Sequence, residues 1–181
     1  MDASVPTEQG VACINGEFMP LAEARIPVLD RGFIFGDGVY EVIPIYSRRP
    51  FRLEGHLQRL ERSLDGIRLP NPHTRAQWGN LIEELARRGP TEDQSLYLQV
   101  TRGVAKRDHA FPKDAQPTVF MMTNPLTVPE PRLVSEGVSA VSATDNRWLR
   151  CDLKTIALLP NVLLRQLAVD AGAACLIRAG A

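Results

Sequence analysis

Three prolines fall within residues 124–136, NPLTVPEPRLVSE, and the stretch shows no clear apolar period. Proline has a fixed φ and no backbone N–H, so such a segment favours extended, semi-rigid chain over a helix interior or a central strand. It predicts a linker. The chain then divides into a first domain over 1–123, the linker over 124–136 and the start of a second domain over 137–181. Domains run to roughly 100–200 residues, so the first piece alone has the size of a complete one.

Patterning inside the pieces points to a mixed α/β (α+β) fold, with an antiparallel-rich sheet and two helices in the first domain. Residues 11–20 read as a hairpin, because Asn15-Gly16 sits between two apolar stretches. Residues 39–46, VYEVIPIY, read as a strand; Pro44 marks an edge or a bulge. Leu57, Leu60, Leu64 and Ile67 recur at helical spacing over 54–67, as do Trp78, Leu81, Ile82 and Leu85 over 74–88. Thr74 fits the N-cap of the second helix and Gly89 its C′ position. Strands follow at 95–102 and 117–123. Beyond the linker come a strand at 137–144, a helix over 161–171 with Pro160 near its first turn, and a strand beginning at 174–178.

Charge and cysteine content narrow the function classes. Lys+Arg and Asp+Glu are equal at 21 each. Nucleic acid selects basic surfaces, so it is not an expected partner. No apolar run approaches the ~20 residues of a membrane span, and MDASVPTEQG lacks the pattern of a secretory signal. Cys13, Cys151 and Cys175 are odd in number and widely spaced, which offers neither a disulfide framework nor a zinc pair. His56, His73 and His109 share no metal-ligand spacing, so no metal is expected. The simplest compartment is the reducing cytoplasm. GxGxxG, Walker and GxSxG signatures are all missing.

Four clusters could carry chemistry. In LDRGFIFGDGVYEVI, residues 29–43, three glycines allow sharp turns ahead of a strand; a plain loop would look the same. In EGHLQRLERS, His56 and Arg59 are neighbours on one helix face, and the Arg59 fork could hold a phosphate or simply be solvated. Arg107 and His109 are two apart, which in extended chain sends both side chains the same way, as a carboxylate clamp or as a basic surface loop. Lys154 lies between a polar turn and a strongly apolar stretch. Burial lowers a lysine pKa and yields the neutral amine that a Schiff base needs; a lysine snorkelling to solvent is the alternative. Cys151, beside Arg150, reads as a buried, inert thiol or as one with some thiolate character.

The order of these segments, DRGFIFGDGVYEVI, GHLQRLERS, LQVTRG with Arg107-Asp108-His109, and RWLRCDLKTIALLPNVLLRQLA, resembles the class IV pyridoxal-phosphate aminotransferases, most of all their D-amino-acid (D-alanine) branch. The resemblance runs from about residue 12 to the last residue. It implies that Lys154 carries pyridoxal 5'-phosphate and moves the proton between substrate Cα and cofactor C4′. Arg59 would bind the cofactor phosphate. Tyr40, Arg107 and His109 would trap the substrate carboxylate, and Val42 would line the pocket. The Arg-x-His loop reaches into the neighbouring subunit in that family, which implies a homodimer.

The implied reaction exchanges the amino group of a D-alanine-like amino acid with a 2-oxo acid such as 2-oxoglutarate. Arg107 and His109 argue against the branched-chain aminotransferase and aminodeoxychorismate lyase relatives. In the family an acidic partner for the pyridine nitrogen follows the strand after the lysine helix. This sequence ends at Ala181, before that segment, so it is expected to be truncated within its second domain. A catalytically inactive or incomplete fragment is the competing expectation.

Overall fold

A two-residue turn opens the sheet. Asn15 and Gly16 both take positive φ, 51° and 91°, the twist that a tight hairpin needs. Val11–Ile14 (β1) and Glu17–Pro20 (β2) pair antiparallel across it. In this computed structural model, which describes residues 10–114 and 116–179, Arg31–Phe35 forms a short helix (α1) where a loop was the plainer expectation. The Asp30 carboxylate caps it by accepting the Gly32 N–H at 2.8 Å, and Gly36 ends it in the left-handed region.

Gly38–Tyr46 (β3), Arg49–Pro50 (β4), Gln94–Thr101 (β5) and Thr118–Pro125 (β6) complete a sheet of order β2-β1-β6-β5-β3-β4 with every neighbour antiparallel. Pro44 pairs with Ser95 in β5, while β4 covers only the Ile45–Tyr46 end of β3, so β3 is close to an edge as its proline suggested. Leu53–Gly66 (α2) and Arg75–Arg88 (α3) lie between β4 and β5 in sequence. Leu57, Leu60, Leu64, Trp78, Ile82 and Leu85 are buried against Val39, Ile43, Ile45, Leu96 and Leu98. Successive strand side chains alternate faces, so Tyr40, Val42 and Tyr46 lie on the opposite face, and all are at least partly exposed.

Thr74 caps α3 in a full capping box with Gln77. Gly89 departs from expectation. Its φ of −63° is open to any residue, so it is not a left-handed terminator. Space requires the glycine: a Cβ there would stand 1.8 Å from the Gln94 side-chain oxygen.

The chain separates into two compact units. One holds the described residues up to Leu126 together with Asp152–Ala157; the other holds Thr127–Cys151 and the described residues from Leu158 on. The proline-rich stretch is not featureless extended chain. β6 runs on to Pro125, and Pro131–Ser135 forms a short helix (α4) with proline in its first turn. At a strand end and a first helical turn a missing N–H costs little. In the second unit Ala140–Thr144 (β7) and Cys175–Ala179 (β8) pair in parallel, with Val141 opposite Leu176. The connection includes Leu159–Asp170 (α5), which also has a proline in its first turn and buries Leu164 and Ala168. No helix among the described residues is long and apolar enough to cross a membrane.

Candidate active site

Asp152–Ala157 runs alongside β3 and delivers the lysine. The Tyr40 N–H donates to the Lys154 carbonyl at 3.0 Å, and the Ile156 N–H donates to the Gly38 carbonyl at 3.1 Å. The Lys154 N–H in turn donates to the Ser63 hydroxyl at 3.3 Å. The strip is thus clamped between a strand and a helix. The Lys154 amine rests over the face of the Tyr40 ring, with Nζ 3.7 Å from its centroid. A cation over a ring face is held by the ring quadrupole, so two of the expected site residues meet directly.

His56, Arg59 and Ser63 recur at i, i+3 and i+7, which places them on one edge of α2. Glu41 faces that edge from β3 and is 1% exposed. It accepts Arg59 Nε and Nη2 at 2.6 Å each and lies 2.9 Å from His56 Nδ1. The hydrogen bond to Glu41 raises the Arg59 pKa further above its already high ordinary value, against partial burial. The Arg59 side chain is still 43% exposed, so an anion can reach it. A groove of about 440 Å³ opens beside it, between Val42, Pro44 and Phe51 on one side and Gly55, His56 and Arg59 on the other.

Tyr97 extends the Tyr40 surface. The two rings stack with centroids 5.7 Å apart and planes 29° apart. Burial, with the Tyr40 phenol nearby, pushes the Tyr97 hydroxyl up to about 12, and it donates to Gln99 at 2.7 Å. Arg107 and His109 come together elsewhere on the first unit. The Arg107 guanidinium sits 5.5 Å from the Phe35 ring centroid and the His109 ring 5.3 Å from it. Their ring and cation contacts are with Phe35 and not with Tyr40 or Lys154.

Sequence reasoning missed Glu41, Ser63 and Tyr97. Glu41 had a usable signal: it is an acid on the inward-facing register of a buried strand, and such a group needs a cationic partner. Cys151 reverses its expected burial. It is exposed, in a surface turn where its thiol donates to the Trp148 carbonyl at 3.0 Å. Cys13 is the buried thiol, and desolvation raises its pKa.

Comparison with known proteins fits this geometry. A family model for class IV amino-transferases matches residues 38–177. The D-alanine aminotransferase of Bacillus licheniformis is 43% identical over 168 residues, which cover 92% of this chain and 59% of that enzyme. A hypothetical aminotransferase from Mycobacterium tuberculosis, solved in a PLP-bound form, superposes with a TM-score of 0.79 at 24% identity, covering 94% of this chain and 62% of that one. The branched-chain amino acid aminotransferase of Escherichia coli gives a TM-score of 0.81 at 20% identity, over 93% and 59%. Likeness at these two identities is likeness of fold. The chain spans less than two thirds of the length of each of these proteins, and over that span it belongs to the class IV aminotransferase family.

Proposed function

We propose that this chain serves a pyridoxal-phosphate-dependent transamination between a D-alanine-like D-amino acid and a 2-oxo acid such as 2-oxoglutarate. One observation carries the reading: consecutive residues of one strand hold both groups, Tyr40 under the Lys154 amine and Glu41 against an accessible Arg59 fork. The 43% identity to a D-alanine aminotransferase supports the substrate class.

The residues present fit the cofactor. Arg59, held by Glu41 and still accessible, suits a phosphate, for which a planar guanidinium is well shaped. Lys154 supplies the amine that would hold the cofactor aldehyde. When bound, pyridoxal phosphate supplies the electron sink for the charge left on substrate Cα. Lys154 would take the proton from substrate Cα and deliver it to the cofactor carbon C4′, and the Ser63 and Tyr40 contacts with its backbone keep that amine on one face of the substrate. Val42, beside the groove, bounds the side-chain space.

Arg107 and His109 bind the substrate carboxylate in this reading, by a charged fork plus a second donor. Their own contacts are with Phe35, so the reading has them serve the site of a second copy, in a homodimer. Three free cysteines suit a reducing cytoplasm.

The test is direct. The purified chain is mixed with pyridoxal phosphate and its visible spectrum recorded, then assayed with D-alanine and 2-oxoglutarate. A new absorption band that is lost in Lys154→Ala, together with turnover, supports the reading. Neither band nor turnover overturns it.

A further inference from the structure

The segment between β5 and β6 carries Arg107 and His109, and a buried ion network holds it from below. Asp37 stands at the centre. One of its oxygens accepts Arg31 Nε and Arg102 Nε, each at 2.8 Å, and the other accepts Arg102 Nη2 at 3.1 Å. Arg31 is 4% exposed and Arg102 6%. Arg102 is tied down further by the Ile67 carbonyl at 2.8 Å and the Arg68 carbonyl at 3.2 Å, and its guanidinium lies 3.8 Å from the Phe111 ring centroid. Arg31 reaches past Asp37 into the loop. Its Nη1 donates to the Asp108 carbonyl at 2.5 Å and lies 3.4 Å from the Ala110 carbonyl. These are the two carbonyls that flank His109.

A guanidinium is suited to this task. Its donors are fixed in one plane, so an anchor on Nε sets where Nη1 points. The Arg31 guanidinium also sits 4.9 Å from the centroid of Phe35, the ring against which Arg107 and His109 pack. Carbonyls, ring and ion network therefore define one orientation of the loop.

We propose that Arg31 is a positioning residue for substrate recognition: braced by Asp37, it fixes the Asp108 and Ala110 carbonyls and so the direction in which Arg107 and His109 are presented to the substrate carboxylate. The proposal rests on the reading of Arg107 and His109 as carboxylate donors. Arg31 touches no substrate. Its effect passes through the loop and should fall on substrate capture more than on proton transfer at Cα.

A double-mutant cycle tests this in the holoenzyme. Arg31→Lys keeps the charge but cannot span Asp37 and both carbonyls. It is expected to raise the KM for D-alanine about tenfold with kcat changed far less. In an Arg107→Ala background the same substitution should add little, because the group it positions is already gone. Full additivity, or an unchanged KM, overturns the proposal. If Arg107→Ala alone leaves KM unchanged, the carboxylate reading has failed instead, and the proposal falls with it. Tryptic cleavage after Lys106 and Arg107 gives a readout free of turnover: Arg31→Lys should speed it several-fold, and an unchanged rate counts against the proposal. Should Arg31→Lys fail to fold, Phe111→Ala removes a half-exposed ring that rests on Arg102 of the same ion network; KM and cleavage should both rise, and if neither does the proposal is overturned.

Discussion

Glu41 and Arg59 form a two-point ion pair across β3 and α2, with Arg59 Nε and Nη2 each 2.6 Å from a carboxylate oxygen on a side chain that is 1% exposed. The pair orients a cation at the edge of the groove before any anion arrives. Preorganisation of this kind reduces the ordering cost of binding. Glu41→Gln should therefore weaken pyridoxal phosphate binding by about tenfold or more, the value of a hydrogen bond to a charged group. Titration of the cofactor by its absorbance measures this. An unchanged dissociation constant would remove Glu41 from the site.

Lys154→Ala separates chemistry from folding. Tyr40 and Ser63 hold Lys154 through its backbone N–H and carbonyl, which alanine keeps. The variant should lose the visible band of bound cofactor and all transamination. Its unfolding midpoint in urea should stay close to that of the parent. A large fall in that midpoint would show that the amine over the Tyr40 ring is structural.

Gly89→Ala should destabilise the first unit by roughly 1–3 kcal/mol, the range for overpacking a filled site. The new Cβ would stand 1.8 Å from Gln94 Oε1 and 2.8 Å from Thr123 Oγ1. Gln94 cannot easily swing away, since it is fully buried and its amide donates to the Ala86 and Thr91 carbonyls. Urea denaturation checks the value. A neutral result would mean that the end of α3 moves freely.

Acid should loosen the loop that carries Arg107 and His109. Burial alone would raise the Asp37 pKa, but hydrogen bonds and charge from Arg102 and Arg31 outweigh it and hold the group below its ordinary 3.8. For a carboxylate depressed on folding, the stabilisation is complete above the unfolded value and is lost as pH falls through the folded one. Unfolding free energy should hold at pH 5 and above, then decline from about pH 4 downward. Asp37→Asn should flatten that decline; an equal acid sensitivity in the variant would exclude Asp37 as its source.

Local physics made much of the first unit legible in advance. The Asn15-Gly16 turn, the apolar spacing of α2 and α3 and the Thr74 cap each follow from interactions within a few residues, and the structure places the elements where those interactions put them. Gly89 shows the boundary of such reasoning. A glycine after a helix signals a left-handed cap from local sequence, yet its reason here is the Gln94 side chain arriving from the next strand. The prolines of 124–136 do not keep regular structure out of that stretch: β6 runs on to Pro125 and α4 begins at Pro131, because a strand end and a first helical turn accept proline as readily as an extended linker does.

The site divides in the same way. Sequence by itself determined the residue types and their order: an amine at Lys154, a fork at Arg59, a phenol at Tyr40 and the Arg107–His109 pair. Folding decided which of them meet. Sheet pairing and the Asp152–Ala157 strip bring Lys154 onto Tyr40, and strand alternation turns the intervening Glu41 inward to brace Arg59. Only tertiary structure shows that Arg107 and His109 are set on Phe35 above a buried Arg31–Asp37–Arg102 network. The physical reason is range. Caps, turns and helix faces act over a few residues, whereas ion pairs and ring contacts depend on distances that exist only once the sheet has closed.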